Sequence, residues 1–315
     1  MEKSRVDSPG LQSRRFSWDA VSFLIPGNWE LALYTFPKRT HTRIELEDEF
    51  AVRLEAEWTR PKAKDDIEKL QERYERETKA LTARASHKEA IHNLENGWMA
   101  TEYRFSDGLA GNDSGREPEM PHWLVTAFHT SSDAGFFCFM ILYAYPGDKD
   151  DPLDIIHLIA DEFRRHTADI VPWELYDIRF EIPRQFLLQN TLFDIGSKLM
   201  LFGWKLRRFY LWHFSAANMF LKDRVVMEEW VAGYLNGFSR IKGPLFLPGR
   251  NGVINWKRRK RHFLGHRDEI SRWCFNYRIR ARYQRQKKQL IVWVFNYRNG
   301  EDLELIPESL RFGQE

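Results

Sequence analysis

The sequence predicts an α+β protein of two tandem domains, each an antiparallel β-sheet flanked by helices. Three observations carry that prediction. The stretch "VSFLIPGNWE", beginning at Val21, is echoed 157 residues later by "IRFEIPRQF", beginning at Ile178. Each copy has the form aliphatic, any, Phe, any, Ile, Pro, with an aromatic ring three residues after the proline, Trp29 and Phe186. The segments that follow each copy then recur in the same order. Finally, a chain of 315 residues accommodates two domains, at roughly 100–200 residues each.

In the first copy Val21, Phe23 and Ile25 share one face of a strand that Pro26 ends. Alternating segments near 31–36, 41–47 and 50–58 are expected to be three more strands. Asp65 and Asp66 open a helix, "DDIEKLQERYERETKAL", whose apolar stripe is Ile67, Leu70, Tyr74 and Leu81. "HKEAI", from His87, leads into a strand carrying Trp98 and the pair Tyr103-Arg104. The segment 107–121, rich in Gly, Asp and Pro, is a long connection between strands, and such connections often carry function. "FFCFMILYAY" is about half the length of a bilayer-spanning helix and is expected to be a buried strand. Asp151 caps a helix over 152–166 with Pro152 at its first position.

In the second copy, strands are expected near 189–196, 198–203 and 205–215. The segment "FLKDRVVMEEWVAGYLNGF" follows as a helix, with Leu221, Val225, Trp230, Tyr234 and Phe238 along its stripe. "HRDEI", from His266, matches "HKEAI" and leads to Trp273 and Tyr277-Arg278. "QLIVWVFNYRNGED" matches the last strand of the first copy, each with a Tyr, Tyr145 and Tyr297, before a glycine-containing turn. The expected organisation is therefore a flexible tail over 1–15, a first domain over 16–170 and a second over 171–315.

This element order resembles the PsbP-like superfamily, which includes the PsbP proteins of photosystem II, DcrB-type bacterial proteins and a Ran-binding nuclear import factor. The residues that carry the resemblance are the Phe-x-Ile-Pro-x-x-Trp opening, its echo from Ile178, and the "HKEAI" and "HRDEI" strand starts. The second copy departs from it with Phe186 in place of Trp and with only "ESLRF" where a terminal helix would stand. The resemblance implies a helix-flanked antiparallel sheet and a role in binding or assembly, and it implies no catalytic residues.

Charge separates the two halves. Residues 1–157 carry a net −8 and residues 158–315 a net +11, within a chain of net +3. Residues 250–288 hold 14 Lys and Arg against Asp268 and Glu269. The run "WKRRKRHF" contributes Lys257, Arg258, Arg259, Lys260 and Arg261. Over "RWCFNYRIRARYQRQ", a period of two puts Trp273, Phe275, Tyr277, Ile279, Ala281 and Tyr283 on one face. Arg272, Cys274, Asn276, Arg278, Arg280 and Arg282 fall on the other. Such a ladder faces solvent, an acidic protein surface, which another copy's acidic half would supply, or phosphate on nucleic acid or an anionic membrane. The rings are expected on the buried face, away from the cations, which disfavours base stacking.

Signals for chemistry are weak. His262, His266 and Glu269 have a helical metal-ligand spacing, but Gly265 interrupts it and the preceding cations repel a dication. His87 and His92 are five apart and do not stack on a helix, and His157 falls on the apolar side of its helix. No P-loop, no G-x-S-x-G and no C-x-x-C is present. The two cysteines, Cys138 and Cys274, and an N-terminus without an apolar core fit a cytoplasmic protein. The expectation is a non-enzymatic interaction or assembly factor that needs no cofactor or metal. It would recognise an acidic protein through Arg272, Arg278, Arg280 and Arg282, with residues 257–261 as an auxiliary patch. Phosphate-directed binding is the alternative, and an enzyme of unknown reaction the third reading.

Overall fold

Alternation in the sequence becomes strands almost throughout. The structure, a computed structural model, describes residues 12–38, 41–59, 64–106, 121–131, 135–175, 178–221, 226–241, 243–258 and 275–306. In chain order the first unit contains β1 (Ser13–Trp18), β2 (Val21–Pro26), β3 (Glu30–Lys38), β4 (His41–Glu47), β5 (Val52–Thr59) and α1 (Lys64–Thr82). It continues with β6 (His87–Ile91), β7 (Trp98–Arg104), β8 (Trp123–Ser131), β9 (Phe136–Ala144), α2 (Pro152–Glu162) and β10 (Arg164–Arg165). After β11 (Ile170–Leu175) come β12 (Ile178–Pro183), β13 (Leu187–Asp194), β14 (Ser197–Trp204), β15 (Arg207–Phe214) and α3 (Met227–Gly237). The described residues end in β16 (Pro244–Pro248), β17 (Ile254–Arg258), β18 (Asn276–Gln284), β19 (Gln289–Tyr297) and α4 (Gly300–Leu305). The two compact units are Met1–His166 with Trp173–Asp177, and Thr167–Pro172 with Ile178–Glu315.

The first unit is built on a seven-stranded sheet in the order β3-β4-β5-β9-β8-β7-β6, antiparallel throughout. One face carries Leu54, Ala56 and Trp58 beside Leu142, Met140 and Cys138. The β1–β2 hairpin and α2 cover it: Trp18 meets Tyr34 at 5.1 Å, and Phe163, at the end of α2, meets His129 at 5.1 Å and Phe23 at 6.4 Å. The hairpin turns at Asp19 and Ala20, both at positive φ, as a two-residue turn between twisted strands requires. Thr42 donates to the Asp19 carboxylate at 2.6 Å and fixes that turn on the sheet. On the opposite face, Tyr74 of α1 stacks on Phe139 at 4.2 Å and Phe137 at 5.4 Å.

The second unit is built on a five-stranded antiparallel sheet in the order β13-β14-β15-β19-β18. Its core joins Leu201, Trp212, Val292, Val294, Ile279 and Ala281 to Val231 and Leu235 of α3 and to Phe246 and Ile254 of the β16–β17 hairpin. On the other face Phe180 meets Phe202 at 5.8 Å, and Phe186 meets Phe295 at 5.9 Å. The order β13-β14-β15-β19-β18 has the same form as β3-β4-β5-β9-β8: a three-strand meander whose last member pairs with the second strand of a later hairpin.

The expected helix-flanked α+β arrangement is corrected. The described residues form nineteen strands in four antiparallel sheets and only four α-helices. Much of the cover on the sheets comes from hairpins, β1–β2 and β16–β17. Their aromatic residues Phe16, Trp18, Phe23 and Phe246 are buried and do the work assigned to helices. The helix expected over 152–166 stops at Glu162, and Arg164–Arg165 becomes β10 against β2. The helix expected from residue 220 is reduced to Met227–Gly237 among the described residues. Ser13–Arg15, expected in the tail, belong to β1. The connection 107–120, the start of the helix at Asp65 and Asp66 as regards side chains, and "HRDEI" lie outside the described residues. Among the described residues no helix is long and apolar enough to cross a membrane.

One buried ion cluster ties the start of β5 to the turn after β9, at one end of the first sheet. Arg53 is 7% exposed and donates to Asp48 and to Asp148, each at 2.7 Å, with Tyr145 beneath its guanidinium at 4.9 Å. Asp48 also accepts the backbone N–H of Phe50 at 2.9 Å and of Ala51 at 3.0 Å. Burial alone would raise the Asp48 carboxyl, but the Arg53 and backbone hydrogen bonds and the Arg53 charge hold it below the usual aspartate range. A carboxyl lowered on folding adds stability that is complete above the unfolded pKa of about 3.9 and is lost as pH falls through the folded value. Arg53→Met, which leaves two carboxylates without their cation, is expected to lower unfolding free energy by roughly 3–5 kcal/mol in urea titration. Asp48→Asn is expected to be less stable than the parent at neutral pH and to lose less stability on acidification below about pH 4.

Candidate functional site

The structure places the basic ladder at the margin of an apolar face. In the β18–β19 register Arg278 opposes Phe295, Arg280 opposes Trp293 and Arg282 opposes Ile291, and directly opposed residues share a face. Phe295, Trp293 and Ile291 are buried. Arg278 and Arg280 are accordingly half-buried, and of the three only Arg282 is exposed. Arg278 reaches the Ile306 carbonyl just beyond α4, at 3.5 Å, a position where a cation also complements the helix dipole. The apolar side follows the alternation: Phe275, Ile279 and Ala281 are buried, and Tyr277 and Tyr283 pack on the core.

The β16–β17 hairpin brings more cations beside β18. Val253 bridges Arg280, and the Ala281 N–H donates to the Gly252 carbonyl at 2.7 Å. The buried Glu228 of α3 accepts the Gly252 N–H at 2.7 Å, which anchors the turn from the helix side. Arg250 stands exposed at the start of this turn, and Lys257 and Arg258 stand exposed at the far end of β17. Arg258 lies over the ring of Trp256 at 5.5 Å. The β18–β19 turn adds Arg285, Lys287 and Lys288, all exposed. Arg250, Lys257, Arg285, Lys287 and Lys288 form no ion pair with described residues. Arg259, Lys260, Arg261 and Arg272, and the His262, His266 and Glu269 set, lie outside the described residues.

The turn cations were not singled out from the sequence as a group. Their signal was present: "RQKK" between two alternating strands is a hairpin tip, where long charged side chains extend into solvent. The ladder, by contrast, rests on alternation alone. Alternation shows which residues share a face, but it does not show what covers that face.

Three arrangements elsewhere look chemical and are explained structurally. Ser22 Oγ lies 2.8 Å from His166 Nε2, but Ser22 is fully buried in β2 between β1 and β10, out of reach of a substrate. A cavity of about 700 Å³ in the first unit is lined by Trp29, Phe50, Arg53, Tyr145 and Asp148 among others, and Asp48, Arg53 and Asp148 in its lining are engaged with one another. Cys138 is a buried free cysteine whose thiol is pushed up by burial, so it is a poor nucleophile.

No protein-family model matches this chain, and a search of curated proteins finds no match.

Gly252 is the residue on which the cationic turn depends. Its φ is +75°, and a Cβ there would stand 2.2 Å from the Ala281 carbonyl oxygen. Gly252→Ala is expected to detach the turn from β18, at a cost of about 1–3 kcal/mol from backbone strain alone. Thermal unfolding, together with amide exchange at Ala281, checks this.

Proposed function

We propose that this chain is a non-enzymatic interaction factor that captures an acidic protein surface through the cationic rim of its second unit. The observation that carries the reading is the set of exposed cations, without an ion pair among the described residues, on the two turns that meet β18: Arg250, Arg285, Lys287 and Lys288, with Lys257 further along β17. Long cations on turns steer an acidic partner at long range and act chiefly on the rate of encounter. Nucleic acid is disfavoured as the target by where the rings lie. Tyr277 and Tyr283 pack against the core instead of standing beside the cations, so the rim offers charge without a stacking platform. The resemblance to the PsbP-like superfamily points to binding and assembly as well, although the helix-flanked sheet it implies is not the arrangement observed.

Replacing Arg285, Lys287 and Lys288 together with Gln should leave the unfolding midpoint nearly unchanged, since surface changes usually cost within about 0.5 kcal/mol. The variant should bind a fluorescent poly-glutamate peptide several-fold more weakly in anisotropy titrations, mainly through slower association in stopped flow. Arg278→Gln should instead lower stability and leave peptide binding nearly intact. Binding of random single-stranded oligonucleotide tighter than the peptide at physiological salt, with a steep salt slope, would move the assignment to phosphate.

A further inference from the structure

The outer edge of the first sheet brings together three groups with metal-ligating atoms. β6 is the edge strand and pairs with β7, so that His87 opposes Arg104 and Glu89 opposes Glu102. Residues two apart on a strand share a side, and opposed residues share a face. His87, Glu89 and Glu102 therefore project together. Two carboxylates directly opposed across a ladder repel one another, so this placement calls for a cation between them.

The distances suit a small metal ion. His87 Nε2 lies 3.2 Å from Glu89 Oε2 and 3.7 Å from Glu102 Oε1. The three donor atoms all lie within 4.8 Å of one another. Around a tetrahedral ion with bonds of about 2.0–2.1 Å, ligand atoms stand about 3.4 Å apart. The two separations bracket that value, so small side-chain shifts close the shell.

We propose that His87, Glu89 and Glu102 bind one divalent transition-metal ion of the zinc class, with solvent completing the coordination. One imidazole and two carboxylates suit zinc or cobalt. The imidazole disfavours magnesium and calcium, which take oxygen shells. The Glu102 side chain is only 4% exposed, and its second oxygen, Oε2, accepts the Trp123 Nε1–H at 3.2 Å. This is the outer hydrogen bond that orients a ligating carboxylate. His87 and Glu89 are exposed, which leaves a route of entry from solvent.

Arg104 occupies the place of the competing cation. It donates to Glu102 Oε1 at 3.1 Å and lies over the Trp123 ring at 4.5 Å. About half of its side chain is exposed, so the guanidinium swings off the carboxylate when an ion takes that oxygen. The consequence is a test that a mere surface ion-pair cluster would not pass: removing Arg104 strengthens metal binding, whereas removing His87 or Glu89 weakens it.

The experiment is a titration of the full chain with Zn²⁺ by calorimetry near neutral pH, with Co²⁺ absorption as a second readout. The parent is expected to bind one ion at this site. His87→Gln and Glu89→Gln should each weaken binding by at least about tenfold, and Arg104→Gln should tighten it several-fold. Glu89 is exposed, so its variant keeps the fold and remains decisive if a change at buried Glu102 does not. Circular dichroism confirms that each variant is folded. No saturable binding at millimolar Zn²⁺, or equal affinity in the parent and in Glu89→Gln, overturns the site. Arg104→Gln binding no tighter than the parent overturns the competition.

Discussion

The main sheet of each unit turns on one strand that is buried on both sides. β9 is buried over eight of its nine residues and β19 likewise, so neither can sit at an edge or face water. A strand of this kind must lie in the interior of its sheet, and both sheet faces above it must be covered. The rest of each unit follows from that constraint. β5 and β15 supply the neighbour on one side, and β8 and β18 supply it on the other. The β1–β2 hairpin, α2 and α1 close the faces in the first unit. α3, the β16–β17 hairpin and the Phe180 and Phe186 rings close them in the second.

The strands were legible because their signals are local. The motifs at Val21 and Ile178 open β2 and β12, and the run from Phe136 is the buried strand β9. The register of alternation also assigned Phe275, Ile279 and Ala281 to a core face correctly. Hairpin cover was not legible, because Phe16, Trp18 and Phe246 have the same apolar character whether a strand or a helix presents them. The exposure of Arg278 and Arg280 was not legible either. It depends on Phe295 and Trp293, and on the Ile306 carbonyl, which reach the ladder only through pairing and packing of distant segments. The candidate metal site was hidden for a similar reason. His87 and Glu89 are two apart in the sequence, whereas Glu102 joins them only across the β6–β7 register.

Guanidinium groups serve two purposes in this protein, divided by burial. Arg53, Arg207 and Arg278 are held by carboxylates or by a carbonyl near a helix end and act as internal fasteners. Arg207 donates to Asp302, the N3 residue of the α4 capping box, at 2.6 Å, so a single pair fixes both the β14–β15 turn and the start of the helix. Arg250 and Arg285 stand on turns, where charge acts on what approaches the molecule. The net charge of a half therefore says little about recognition until the fasteners are set aside.

The pairing of β5 with β9 joins Tyr143 to Glu55, 88 positions apart in the chain, and the pairing of β15 with β19 joins Asn296 to Arg208, also 88 apart. Loop-closure entropy grows only with the logarithm of such a span, so the native state tolerates it, but a rate does not escape so easily. Non-local antiparallel pairing places a protein among the slow folders. The meanders β3–β4–β5 and β13–β14–β15 form from neighbouring segments, and until the later hairpin is made each of them presents β5 or β15 as an open edge. During synthesis that edge waits for roughly 80 further residues, which takes about 4–16 s at typical elongation rates. An unpaired apolar edge exposed for that long is a site for wrong pairing with another chain. The architecture thus makes the nascent protein, more than the finished one, dependent on shielding.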